Sequence, residues 1–162
     1  MVNEHPIENI SAEHANVRQL VSSVGNTMSD LDAFFRLETE RFNLSQASLQ
    51  ALAEKSAHLS EMIDNLWKDL KRHFDYEEEH LMDILGETLT KALKLEHADI
   101  AREMEHVKTV IARSSFEGLT QPEMLAKKAS LQQAIGKLCQ MIEDHAKDED
   151  VLVKLVKKAT KK

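Results

Sequence analysis

Residues Lys71–His80 read KRHFDYEEEH, a run of acidic side chains and two histidines with no glycine or proline among them. In a helix His73 and Glu77, four apart, lie about one turn from each other on the same face. Leu66, Leu70 and Leu81 continue that stripe, so the face carrying the imidazole and the carboxylate is the one the helix buries. Near the other end of the chain His145 and Glu149 repeat the spacing, with Leu138, Met141 and Val153 around them. HFDYEE and HAKDED both read as a histidine, three residues, then two carboxylates.

The rest of the composition agrees with helix. Among 162 residues there are four glycines and two prolines, and Ala, Leu, Glu, Lys, Gln and Met dominate. The fold class is therefore all-α, in one domain spanning 1–162. A formal charge of −7, with no basic stripe interleaved with aromatics, argues against nucleic acid as a partner. The lysines of VKLVKKATKK suit a helix C-terminus. Cys139 stands alone, so no disulfide framework is expected and a reducing cytoplasm is the simpler location. No apolar run approaches the roughly 18 residues that cross a bilayer, and MVNEHPIENI has no hydrophobic signal core, so no membrane association is expected.

Start and stop signals divide the chain into four arms. Ser11 can cap a first helix through AEHANVRQLV, with Ile10, Val17, Leu20, Val21 and Val24 on one face and a kink expected at VGNT. Asn43 and Ser45 offer caps for a second helix that continues to Gly86. Thr88 or Thr90 can open a third. RSSFEGLTQPEM, containing Gly118 and Pro122, reads as the one long loop before a fourth helix. Four amphipathic helices with mostly short connections predict an antiparallel, up-down-up-down four-helix bundle.

Folding the chain at these turns brings the histidines together. His14 is 29 residues before Asn43 and His73 is 30 after it, so the first hairpin sets both at one height. Glu77 is 9 residues before Gly86, and His97 is 9 after Thr88. His97 and His145 lie 48 apart about a midpoint at Gln121, beside Pro122. One histidine per helix converges on a single layer. A lone histidine on an apolar helix face is ordinarily a hydrogen-bonded core residue, and an isolated His-x-x-x-Glu is ordinarily an ion pair. Four histidines and two carboxylates in one layer are different, because leaving them dry and unpaired is severely unfavourable and a cation offsets that cost. Imidazole and carboxylate donors without thiolate suit iron, manganese or zinc. Two histidines and a carboxylate from each half suggest two ions, with Glu77 and Glu149 able to bridge them.

On these elements, EHANVRQLV, HFDYEEEHLM, LEHADI and DHAKDED in that order, the chain resembles the hemerythrin-like, or HHE cation-binding, family. The resemblance implies a non-haem di-iron centre inside a four-helix bundle. By position, His14, His73, Glu77, His97 and His145 match its ligands, and Glu149 matches the symmetric form of the motif. Asp150, five after His145, occupies the place of the aspartate in oxygen carriers and is the alternative to Glu149. Oxygen carriers also have a His-x-x-x-His pair on the third helix. Here Leu93 and Ala101 flank His97 at that spacing, so one imidazole is missing and more metal positions are left open.

That departure leads to a small cytoplasmic di-iron protein that binds or senses a diatomic ligand, O2 or NO, or handles iron. A peroxidase or catalase-like enzyme acting on peroxide at the same centre is the alternative within metal chemistry. A metal-free helical interaction module is the alternative outside it, resting on the long stretch SLQALAEKSAHLSEMIDNLWKDL and on Trp67, Phe34, Phe35 and Phe42. Tyr76, three residues after His73, is a candidate hydrogen-bond donor to a metal-bound ligand, or itself a ligand. His80 is expected beside the site or facing solvent and His106 on the surface, while His5 and His58 have no place in the pattern. The sequence does not set an oligomeric state.

Overall fold

The computed structural model describes residues 5–39, 46–113, 115, 116 and 118–160. Four helices account for nearly all of them: α1 (His5–Thr39), α2 (Gln46–His80), α3 (Met82–Ala112) and α4 (Gln121–Thr160). α1 packs on α2 and α4, and α3 packs on the same two, which is the square arrangement of a four-helix bundle. No described helix is long and apolar enough to cross a membrane.

The first helix runs unbroken through VGNT, where a kink was expected. Val24 and Met28 are buried on either side of Gly25, and the Thr27 hydroxyl donates to the Ser23 carbonyl at 2.9 Å, so the polar residues are accommodated within the helix. The expected caps Asn43 and Ser45 lie outside the described residues. Regular α2 ends at His80, six residues before the expected stop at Gly86. The chain then makes one further turn, in which the Ile84 and Leu85 amides donate to the Leu81 carbonyl at 3.1 and 2.8 Å. Gly86, at φ 81° and ψ 174°, separates that turn from the rest of α3. This region of conformational space is essentially confined to glycine. Thr90, one of the two expected openers of the third helix, is instead buried inside it.

The sequence TQPE starts α4. The Thr120 hydroxyl accepts from the Glu123 amide at 3.4 Å, as an N-terminal cap does, and donates to the Glu123 carboxylate at 2.9 Å, and Pro122 sits in the first turn where no amide donor is needed. The preceding loop is anchored by buried Phe116 and by Lys127, whose ammonium donates to the carbonyls of Arg113 and Ser115.

Packing divides the interior into two apolar compartments. The larger draws Val24 and Leu31 from α1, Leu59, Ile63 and Leu66 from α2, Met104 and Val107 from α3, and Leu131 and Leu138 from α4. Trp67 and Phe34 pack against it, whereas Phe42 lies outside the described residues. Each such fully buried aliphatic side chain contributes about 1.5–3 kcal/mol. The smaller compartment consists of Ile10, Leu81 and Leu93, with Tyr76, Ile84, Leu85, Leu152 and Val153 around them. Between the two lies a layer of buried histidines and glutamates.

Two glycines test the backbone reading. Neither Gly86 nor Gly136 has an atom within 4 Å of an added Cβ, so only conformation distinguishes them. Gly86→Ala should lower unfolding free energy by about 1–3 kcal/mol. Gly136→Ala, inside α4, should raise it by up to about 1 kcal/mol. Denaturant unfolding of the two variants beside the parent chain measures both.

Candidate metal centre

Four helices each bring one imidazole to the layer. His14 comes from α1, His73 from α2, His97 from α3 and His145 from α4, and none is more than 5 % exposed. Glu77 on α2 and Glu149 on α4 are 1 % exposed. The rings form two pairs, His14 with His73 at 4.9 Å between centroids and His97 with His145 at 4.7 Å.

Each carboxylate divides its two oxygens between the two pairs. Oε1 of Glu77 faces the Nε2 atoms of His73, in close contact, and of His14, at 3.9 Å. Its Oε2 faces His97 at 3.0 Å and His145 at 3.8 Å. Glu149 does the same, with Oε2 3.5 Å from His14, and with Oε1 4.0 Å from His97 and in close contact with His145. Two donor clusters result, His14–His73–Glu77–Glu149 and Glu77–His97–His145–Glu149. In each, one atom per residue lies within 4.8 Å of all the others.

The other nitrogen of every ring is held by a carboxylate that the sequence reading did not assign to this task. Nδ1 of His73 donates to Glu13, and that of His145 donates to Glu96 at 2.5 Å. Nδ1 of His97 reaches Glu78 at 3.4 Å, and that of His14 donates to Asp150 at 2.7 Å. The pattern is two-fold. The acidic residue before the histidine of α1 or α3 holds the histidine of the next helix. The acidic residue after the glutamate of α2 or α4 holds the histidine of α3 or α1. The signal was present in the sequence as the doublets Glu13-His14 and Glu96-His97, and Glu77-Glu78 and Glu149-Asp150. Such partners fix the tautomer, keep Nε2 free to coordinate and raise its basicity.

Asp150, weighed against Glu149 as an inward donor, thus points away from the layer, bonded to His14 and to the Arg18 guanidinium at 2.8 Å. Phe74, another residue the sequence reading passed over, stacks on His97 at 3.9 Å and 12°, and meets His145 edge-on.

Tyr76 is half-buried in the smaller apolar compartment. Its hydroxyl accepts from Asn9 at 3.1 Å, and its ring stacks on His80 at 4.1 Å. His80 donates through Nδ1 to the Tyr76 carbonyl, while His58 and His106 are exposed. Leu93, four residues before His97, is 4 % exposed in the same compartment as Tyr76.

The donor set fits a cation. Nε2 of His14 and of His73, Oε1 of Glu77 and both oxygens of Glu149 are buried without a hydrogen-bond partner. Left so, polar atoms of this kind are destabilising. Without an ion, protons take the cation's place. Burial opposes a charge on His14, yet Glu149, Glu77 and Asp150 raise it to about 10. Burial likewise opposes charge on His145 and His97, but Glu149 and Glu77 raise them to about 11 and about 8. Burial also works against ionised Glu77 and Glu149, and the surrounding imidazoles nevertheless hold both below the usual carboxylate range.

In chelated protein, the raised histidines stabilise fully below about 6.5 and lose that contribution as pH rises through about 8 to about 11. The glutamates contribute above their ordinary value of 4.5 and lose it in acid. The melting temperature of chelated protein should therefore peak between these limits and fall on the alkaline side. Loading at pH 7 should release protons, roughly one each from His14, His97 and His145 and a further share from His73, which is also raised, seen by calorimetry in buffers of differing ionisation enthalpy. Glu96→Ala frees Nδ1 of His145 and should weaken metal binding by about 10–100-fold, in a competition titration against a chelator of known affinity.

No curated protein and no solved structure gives a match to this chain. The hemerythrin HHE cation-binding domain matches residues 5–156, which takes in every histidine and glutamate of the layer. By that match and by the bundle that carries the layer, the chain belongs to the hemerythrin HHE cation-binding domain family.

Proposed function

We propose that the protein is a cytoplasmic non-haem di-iron protein that binds or senses a diatomic ligand, O2 or NO. In this reading His14 and His73 would hold one iron and His97 and His145 the other, with Glu77 and Glu149 available to both. The observation that carries it is the division of each glutamate's oxygens between the two histidine pairs. A carboxylate serving one ion has no reason to present its second oxygen to a second pair of imidazoles.

Imidazole pairs with carboxylate are the donor set of non-haem iron sites that keep positions open for a small ligand. Bound iron would supply those open positions and a change of oxidation state. This chain's residues do the rest. Glu13, Glu78, Glu96 and Asp150 orient the rings, and Phe74 limits rotation of His97. The apolar residues on both sides keep water from the layer. The fifth imidazole of oxygen carriers is missing, Leu93 and Ala101 standing four residues before and after His97, which supports ligand binding or sensing, or the handling of iron, over simple carriage.

Protein purified without chelator should contain about two irons per chain. The reduced form should develop an absorption band on exposure to O2 or NO. Zinc alone, or no metal, would overturn the reading, and steady peroxide consumption without loss of metal would replace it with an enzymatic one. Chelation should lower the melting temperature, since a buried ion contributes its binding energy to folding. Unchanged stability would instead favour a metal-free interaction module.

A further inference from the structure

We propose that a groove between α1 and α4 is a binding site for a small soluble compound carrying two phosphate groups. Its volume is about 520 Å³, within the roughly 300–1,000 Å³ of small-molecule sites. Ser11 of α1 lines it, together with Asp150, Val153, Lys154, Lys157 and Lys158 of α4. Those α4 positions follow the spacing of one helix face, so the three lysines form a stripe. Lys154 and Lys158, four residues apart, are separated by about 6 Å along the axis. No part of the groove uses the metal, so the site stands or falls apart from the two-iron reading.

The charge of the lining points to an anion. Three lysines against one carboxylate leave a surplus of positive charge in a chain whose formal charge is −7. That carboxylate is already engaged, since Asp150 accepts from His14 at 2.7 Å and from the Arg18 guanidinium at 2.8 Å. Lys154, Lys157 and Lys158 make no ion pair among the described residues, whereas Lys108, Lys128 and Lys137 pair with Asp64, Asp32 and Glu103. Cations suit the last turn of a helix, which accounts for Lys157 and Lys158. Lys154 stands a turn further in, and the helix end explains neither it nor the Ser11 hydroxyl that α1 brings to the same groove. The lining also selects among anions. A planar carboxylate is matched best by the fork of an arginine, and no arginine lines the groove, whereas lysine serves a phosphate as a point charge. No aromatic side chain is there for a nucleotide base to stack on. One phosphate leaves most of the groove unfilled, but two on a short aliphatic link reach Lys154 and Lys158 together, with the link against Val153.

Titration calorimetry of the chain as purified, with propanediol bisphosphate as the probe, tests the groove. Binding should saturate at one probe per chain and be at least about ten-fold tighter than that of inorganic phosphate, because the second group binds from a site already occupied by the first. Lys154→Glu and Lys158→Glu should each weaken it about ten-fold. Lys91→Glu makes the same change in net charge on α3, which does not pack on α1, and should weaken it less than about two-fold. An equal loss in all three variants, or no saturable binding, would overturn the proposal. All three lysines are exposed, and amide shifts in the parent chain supply a reading that needs no variant. The probe should move Ser11 and the segment 153–158 most, and shifts centred elsewhere would overturn the assignment. Sedimentation with vesicles of phosphatidylserine and phosphatidylcholine separates the two sources of phosphate. Capture of the chain on vesicles without binding of the soluble probe would assign the lysines to a lipid surface and overturn the proposal.

Discussion

Six ionisable side chains buried in one layer are the constraint around which the rest of this bundle is arranged. His14, His73, His97, His145, Glu77 and Glu149 are all at most 5 % exposed, and water does not reach them to satisfy their polar atoms. At low effective dielectric such a group is tolerable only when charges oppose one another closely. That requirement fixes the relative heights of four helices. A slip of one turn in any of them, about 5.4 Å, would carry its imidazole out of the layer.

The apolar compartments on either side have unequal tasks. The larger one holds long aliphatic stripes from all four helices, and its burial supplies most of the driving force for folding. The smaller one has three buried members and is closed partly by the turn before Gly86. Fewer buried apolar contacts mean a lower free energy of local opening, so motion is expected at that end of the bundle before the other. The site thus has a rigid floor and a yielding roof.

Much of this was legible in the sequence. Counting residues about the turns found the layer because the helices are long and nearly uninterrupted, so residue number converts directly into height. His14 and His73 meet as the count required, although the turn between them lies outside the described residues. Rotation was harder to read than height. Glu149 and Asp150 are adjacent, and packing against His14 and Arg18 decided which one turned outward. The outer carboxylates were missed because helical periodicity describes one face of one helix, while Glu13 and Glu96 act across to a neighbour. Phe74 belongs to the same class, since its stacking on His97 is a contact between α2 and α3.

The positions of the inward donors along the chain carry a last consequence. Each donor cluster combines residues from at least three helices, and the first spans from His14 to Glu149. An ion seated there would be a cross-link between distant parts of one polypeptide, with the topology of a staple driven through the bundle. Cleavage of the segment between α3 and α4 would then leave two fragments held together by coordination as well as by the shared apolar core, and their association would weaken when the metal is withdrawn.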